Sequence, residues 1–330
     1  MTKVCIVGAG AIGSLLGARL AAAGRSEVSA LARGATLAAL REHGWRVRSS
    51  GGLLQVPAVA SDDPAALGAQ DLVIVAVKGP SLAEVAPLLA PLLGPQTLVL
   101  PAMNGVPWWF GQGVPELAAA PLASVDPGGR IAAAIGFDRV IGCVVHASAA
   151  SVEPGLVEHR MGQGLIVGEP AGGASERVDR LVALLAHAGF DATLSADVRR
   201  DIWYKLWGNL TLNPVSAITG ATTDRVLADP LVRAFCAAAM REAQAIGGRI
   251  GCTIEQTPED RNAVTARLGA FKTSMLQDAQ AGRAIELDAI VGVVREIAAR
   301  LDIATPNIDA LFGLARLFGR VHGLYPSGEA

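Results

Sequence analysis

Apolar positions along the chain fall into two regimes. Before about residue 195, short unbroken apolar runs alternate with helix-like stretches; after it the spacing is helical throughout. Residues 4–7, 28–32, 72–77 and 98–100 are runs of Val, Ile, Leu, Ala and Cys with few polar interruptions, the pattern of parallel strands buried on both faces. A helical run at 14–23 follows the first. Residues 140–146, 155–159 and 165–168 are short strand patterns separated by Gly turns, and they predict an antiparallel portion of the same sheet. An amphipathic helix at 176–188 and a strand at 191–194 close this half. Helical spacing then predicts helices over 197–212, 215–218, 230–250, 257–280, 285–301 and 307–323. The expected plan is an α/β domain over residues 1–195 and an all-α domain over 196–330, a division that suits 330 residues.

Composition narrows the class. With 51% hydrophobic and 18% charged residues and a formal net charge of −2, the chain carries no polyelectrolyte face, so nucleic acid is not an expected partner. Arg19, Arg25, Glu84 and Asp179 interrupt the apolar segments before the roughly 20 residues of a membrane span, despite a mean hydropathy of +0.40. No membrane segment is expected. Met1-Thr2-Lys3 runs straight into a strand without a leader pattern, which reads as cytoplasmic. Cys5, Cys143, Cys236 and Cys252 lack metal-ligand spacing and read as small core hydrophobes; no metal site is expected. Trp108 and Trp109 read as packing residues, His146 and His159 as structural ones.

Chemistry enters first at the N-terminus. Gly8-Ala9-Gly10-Ala11-Ile12-Gly13 lies between the first strand and the first helix. The first Gly permits the tight turn, the second lets backbone approach a pyrophosphate, and the third lets helix pack on strand. The helix N-terminus adds free amides and a positive dipole end. This is the signature of a Rossmann-type dinucleotide-binding domain. The second strand ends in Arg33 rather than an acidic residue, so a ribose 2′-phosphate would find a guanidinium: NADP is favoured over NAD. Lys78 and Asn104 stand where two further strands end, the edge at which open parallel sheets bind ligands.

A second constellation lies in the helical half. Lys205, Asn209 and Asn213 recur every four residues, and at about 100° per residue they form a narrow stripe on one helix face. One ammonium and two carboxamides suit an anionic or carbonyl-bearing small molecule. Reducing a 2-oxo acid needs hydride at C2 and a proton on the nascent alkoxide, and Lys205 can stabilise that charge and supply the proton. Pro214 disfavours helical backbone at Asn213, so the stripe is expected to end in a kink.

Together these motifs resemble the ketopantoate reductase (2-dehydropantoate 2-reductase) family over nearly the whole chain. They are the glycine loop with Arg33, Val77-Lys78, Asn104-Gly105, the Lys205/Asn209/Asn213-Pro214 set, and Ser274-Met275-Leu276-Gln277-Asp278 followed by Glu286. The resemblance implies NADPH-dependent reduction of ketopantoate to pantoate with Lys205 as proton donor, and assigns Glu286 to catalysis. It implies that Asn209, Asn213, Asn104 and Ser274 contact the small 2-oxo acid substrate, Ser274 at its carboxylate. It places Lys78, Asn104, Ser148 and Glu286 beside Gly8, Ala9, Gly10, Ala11, Ile12, Gly13 and Arg33 at the cofactor. The apolar helical half could support a homodimer. Two positions depart from the family pattern: Thr223 replaces an Asn, and Phe271 replaces a polar residue. Both belong to the substrate side, which keeps a different 2-oxo acid in view. A non-catalytic NADP-binding sensor and an opine- or 3-hydroxy-acid-type dehydrogenase are the remaining alternatives.

Overall fold

A computed structural model describes residues 1–267 and 269–327. The chain divides into two compact units, Met1–Met103 with Gly129–Asp201, and Asn104–Gly128 with Ile202–Ala330. The excursion 104–128, which lies inside the α/β half of the sequence, groups with the helical unit.

In the first unit the elements are β1 (Thr2–Val7), α1 (Ala11–Ala22), β2 (Ser26–Leu31), α2 (Gly34–His43), β3 (Trp45–Ser49), β4 (Gly52–Val56), β5 (Val59–Ser61), β6 (Gln70–Val75), α3 (Gly79–Val85), β7 (Leu93–Pro101), α4 (Arg130–Ala134), β8 (Gly142–Glu153), β9 (Leu156–Gly168), α5 (Glu176–His187) and β10 (Asp191–Leu194). Five parallel strands form one sheet in the order β5-β2-β1-β6-β7. β1, at the centre, leads directly into the glycine loop, so the loop opens at the carboxyl edge where the strand order reverses.

Val140 makes one isolated parallel bridge to Val99 of β7, but residues 142–168 do not extend that sheet. They form β8 and β9, an antiparallel pair inside a second five-stranded sheet with β10, β3 and β4. Its other strands reach β9 from both sides in sequence: β3 runs parallel to its first half and β10 to its second. The alternation of polar and apolar residues predicts strands but says nothing of which sheet recruits them, and the β3–β4 hairpin of this one has no long apolar run. α1 packs between the sheets. A Cβ on Gly17 would lie 2.5 Å from the fully buried Trp45 ring of β3, so the helix can approach only because that side chain is missing.

The second unit contains α6 (Val198–Thr219, nearly all of it in this unit), α7 (Thr223–Ala228), α8 (Pro230–Arg249), α9 (Pro258–Ala266), α10 (Ser274–Gln280), α11 (Val293–Arg300) and α12 (Pro306–Val321). Three features differ from the pattern reading. Helix α6 continues through Pro214, so Asn213 lies inside a helix rather than at its end. The single helix expected over 257–280 is two, capped separately by Thr257 and by Thr273. The helix expected over 285–301 begins with a π-helical turn, Asp288–Gly292. Periodicity cannot register such interruptions, because apolar spacing persists across them. Among the described residues no helix is long and apolar enough to cross a membrane, and no group of side chains is arranged to hold a metal ion.

Candidate active site

The glycine loop shows three different reasons for three glycines. Gly8 has φ +91°, and a Cβ there would lie 2.6 Å from Val77 Cγ1. A Cβ on Gly13 would fall onto the Gly8 carbonyl, so this residue fixes how closely α1 meets β1. Gly10 differs: no atom lies within 4 Å of the position its Cβ would take. The loop is thus sterically closed against the protein at Gly8 and Gly13 and open at Gly10, the position where backbone must approach a pyrophosphate. Ala11, Ile12 and Gly13 form the first turn of α1, whose amides have no intrahelical acceptor.

Gly8, Ala9, Gly10, Arg33, Lys78 and Ser81 line one cavity of about 630 Å³ in this unit. Arg33 is the exposed N-cap residue of α2, and Lys78 is the N-cap residue of α3. Cavity, glycine loop and cations together fit a dinucleotide. Ser148, half-buried on β8, is not in this lining; Ser151, three residues on, is. The sequence reading missed the stretch around Ser151 to Val157 because nothing in a strand pattern marks the wall of a cavity.

In the helical unit, Lys205 Nζ donates a 2.7 Å hydrogen bond to Asn104 Oδ1, across 101 positions of sequence. The presentation of Lys205 is rigid because the opposite face of α6 is anchored. Trp203 and Trp207 are fully buried, and their indole N–H groups donate to Ala243 O (3.2 Å) and Met240 O (2.7 Å) of α8. At about 100° per residue these indoles lie roughly 160–200° from Lys205. Phe110 stacks on Trp203 with ring centroids 5.9 Å apart, tying the 104–128 segment to the same anchor.

Asn209 is half-buried one turn beyond Lys205. Asn213 is buried, 4% exposed, and its Nδ2 has no hydrogen-bond partner among the described residues. A buried amide N–H without an acceptor costs about 1–3 kcal/mol, so this donor is a candidate for meeting a ligand. The backbone carbonyl of Asn213 accepts from Ser216 Oγ (3.0 Å), which also bonds Thr273 Oγ1 at 2.6 Å. Thr273 caps α10, so this pair ties the start of α10, where Ser274 is exposed, to the Asn213 turn of α6. Ser216 and Thr273 were not found from sequence; a buried Ser on the Asn213 side of the helix is the signal that was available. Glu286 is half-buried two residues before the π-helical turn.

The two positions that depart from the family pattern bond to one another. Thr223 N–H donates to Phe271 O at 3.0 Å, and its Oγ1 donates to Gly269 O at 3.0 Å. Thr223 is 1% exposed, so its side chain serves the loop before α10 rather than a ligand. Cys5 and Cys236 are core residues, as expected, and burial pushes both thiols up to about 11.

Residues 4–172 match the model of the ketopantoate reductase PanE/ApbA family, and residues 197–318 match the model of its C-terminal domain. The chain is 44% identical over 324 residues to a 2-dehydropantoate 2-reductase of Mesorhizobium japonicum, covering 98% of this chain and 99% of the relative. It is 56% identical to a provisionally named ketopantoate reductase from Ralstonia solanacearum MolK2, whose solved structure superposes with a TM-score of 0.95 over 98% of this chain and 99% of that one. The fold is also that of a D-mandelate dehydrogenase solved with NADH and anilino(oxo)acetate, at 20% identity, a TM-score of 0.82 and coverage of 98% and 99%.

Proposed function

The chain belongs to the ketopantoate reductase family of oxidoreductases, and from that premise we propose that it reduces 2-dehydropantoate to pantoate with NADPH, Lys205 acting as proton donor. The observation that carries the reading is the 2.7 Å bond from Lys205 Nζ to Asn104 Oδ1. A carboxamide oxygen accepts a hydrogen bond from the ammonium N–H without taking the proton, so Asn104 orients Lys205 and does not deprotonate it. Lys205 would meet the C2 carbonyl oxygen, stabilise its developing charge and transfer a proton to it. The unpartnered Asn213 amide and Asn209 would donate to the substrate's oxygens, and Ser274 to its carboxylate. Glu286 stands as the accompanying catalytic carboxylate. The reduced nicotinamide, when bound, supplies the hydride.

The glycine loop, Arg33 and Lys78 would hold the dinucleotide. The fold alone does not choose between NADPH and NADH, since it is shared with a protein solved with NADH; the choice rests on Arg33. A charge-assisted bond at an exposed site is worth about 1–1.5 kcal/mol, or about tenfold. Arg33→Ala is therefore expected to lower kcat/KM for NADPH about tenfold and leave that for NADH within about twofold. A wild-type enzyme that prefers NADH would refute the assignment.

The Thr223–Phe271 link favours a second reading, a reductase of the same family acting on another 2-oxo acid. Phe271 supplies an apolar wall where a polar group is usual, and its backbone is held by Thr223. Loss of one hydrogen-bonding group in a pocket built for it changes discrimination by orders of magnitude. NADPH oxidation measured across branched and linear 2-oxo acids decides the matter: ketopantoate is expected to give the highest kcat/KM. A linear or aromatic 2-oxo acid ranking first would replace it, and no turnover on any would refute both.

A further inference from the structure

The Lys205–Asn104 bond depends on backbone that is itself held from elsewhere in the helical unit. Asn104 precedes Gly105, which adopts φ +82°. The next amide, Val106 N–H, donates to the carbonyl of Ala289 at 2.8 Å. Gly105 is pressed so closely on that residue that a Cβ would lie 2.8 Å from the Ala289 carbonyl carbon. Ala289 lies in the π-helical turn Asp288–Gly292, and there the wider spacing of i→i+5 bonding leaves this carbonyl facing the Asn104–Val106 loop.

The π-turn is gripped in turn by Leu324 and Tyr325, just after α12. Tyr325 Oη donates to Asp288 Oδ1 at 2.7 Å, and Ile285 N–H, just before Glu286, donates to Leu324 O at 3.0 Å. Gly319 of α12 makes room for this, because a Cβ there would lie 2.7 Å from Tyr325 Cβ. Gly292 packs on the Asp288 carboxylate in the same way, at 3.0 Å. Burial raises the Asp288 carboxyl above its ordinary range, opposed by the Tyr325 bond and the charge of Arg316; burial and the Asp288 bond raise the Tyr325 hydroxyl.

We infer that Asp288 and Tyr325 are positioning residues for the proton donor. Their hydrogen bond fixes the π-turn, the Ala289 carbonyl of that turn fixes Val106, and the intervening Gly105 sets Asn104 Oδ1 on Lys205 Nζ. The inference rests on Lys205 being the donor. It adds that Tyr325, 120 residues downstream, determines how that donor is aimed.

Tyr325→Phe retains the ring and removes only the hydroxyl. It is expected to lower kcat about tenfold with KM for the 2-oxo acid and Kd for NADPH within about twofold. Asp288→Ala should match it, Asp288→Asn, which keeps Oδ1 as acceptor, should recover most of the loss, and the Tyr325→Phe/Asp288→Ala double variant should fall no further than either single change. A lowered melting temperature with kcat unchanged in both single variants would show a merely structural pair and overturn the inference. So would an Asp288→Asn variant as slow as Asp288→Ala. A second readout does not need turnover: acylation of the Lys205 amine by acetic anhydride, followed by mass spectrometry, should be faster in Tyr325→Phe than in wild type. Inactive wild type with accelerated labelling in the variant would sink the proposed reaction and keep the positioning; active wild type with unchanged kcat and labelling in the variant would do the reverse.

Discussion

Lys205→Ala is expected to lower kcat by about 10²–10⁴-fold, the range of a general acid, while Kd for NADPH stays within about twofold. The two proposed roles fall to residues of different units of the chain. The groups fitted to the dinucleotide are the glycine loop, Arg33 and Lys78 of the α/β unit, whereas Lys205 bonds Asn104 within the helical unit. Alanine is the best helix former, and the buried face of α6 is held by Trp203 and Trp207, so the helix survives the substitution. What disappears is the charge and the proton aimed by Asn104. Lys205→Arg separates the two contributions: it restores a cation but not a readily transferred proton, since guanidinium stays protonated under all working conditions. Recovery of less than about a tenth of wild-type kcat by Arg would place the larger share on proton transfer. Steady-state kinetics with fluorescence titration of NADPH reads all of this, and a Lys205→Ala enzyme within about threefold of wild-type kcat would exclude Lys205 as the acid.

The candidate site could be proposed from the sequence where chemistry demands a residue type at a fixed spacing. Three glycines between a strand and a helix mean something whatever surrounds them, and the structure supplies a separate steric cause for Gly8, Gly13 and Gly10. The Lys205 stripe was legible because helical periodicity alone puts positions four apart on one face, and α6 keeps that periodicity even past Pro214. Illegible features are those set by partners distant in sequence. Asn104 meets Lys205 over 101 positions, and Tyr325 meets Asp288 over 37. The second sheet was missed for the same reason: β3 and β10 join β9 from either side in sequence, and a strand pattern does not name its neighbours. Thr223 and Phe271 read as two separate losses on the substrate side, whereas their mutual bond makes them one local rearrangement of the loop before α10.

Gly10→Ala separates cofactor binding from folding at a single atom. Gly10 has φ −77° and ψ −160°, a conformation open to alanine, and its Cβ would meet nothing within 4 Å. The variant is therefore expected to melt within about 2 °C of wild type, as surface substitutions away from strained backbone do. Its cost appears only when the dinucleotide binds, because the added methyl occupies the surface to which the pyrophosphate must come. Overpacking of one methyl in a close contact costs about 1–3 kcal/mol, which corresponds to about 5- to 150-fold in Kd. Gly13→Ala makes the contrast. Its Cβ collides with the Gly8 carbonyl, so α1 must move off β1 and thermal stability must fall whether or not NADPH is present. Isothermal titration of NADPH alongside thermal denaturation of both variants reads the difference. If Gly10→Ala bound NADPH like wild type, the open face of the loop would not be the pyrophosphate's seat, and the dinucleotide would have to be placed elsewhere in the cavity.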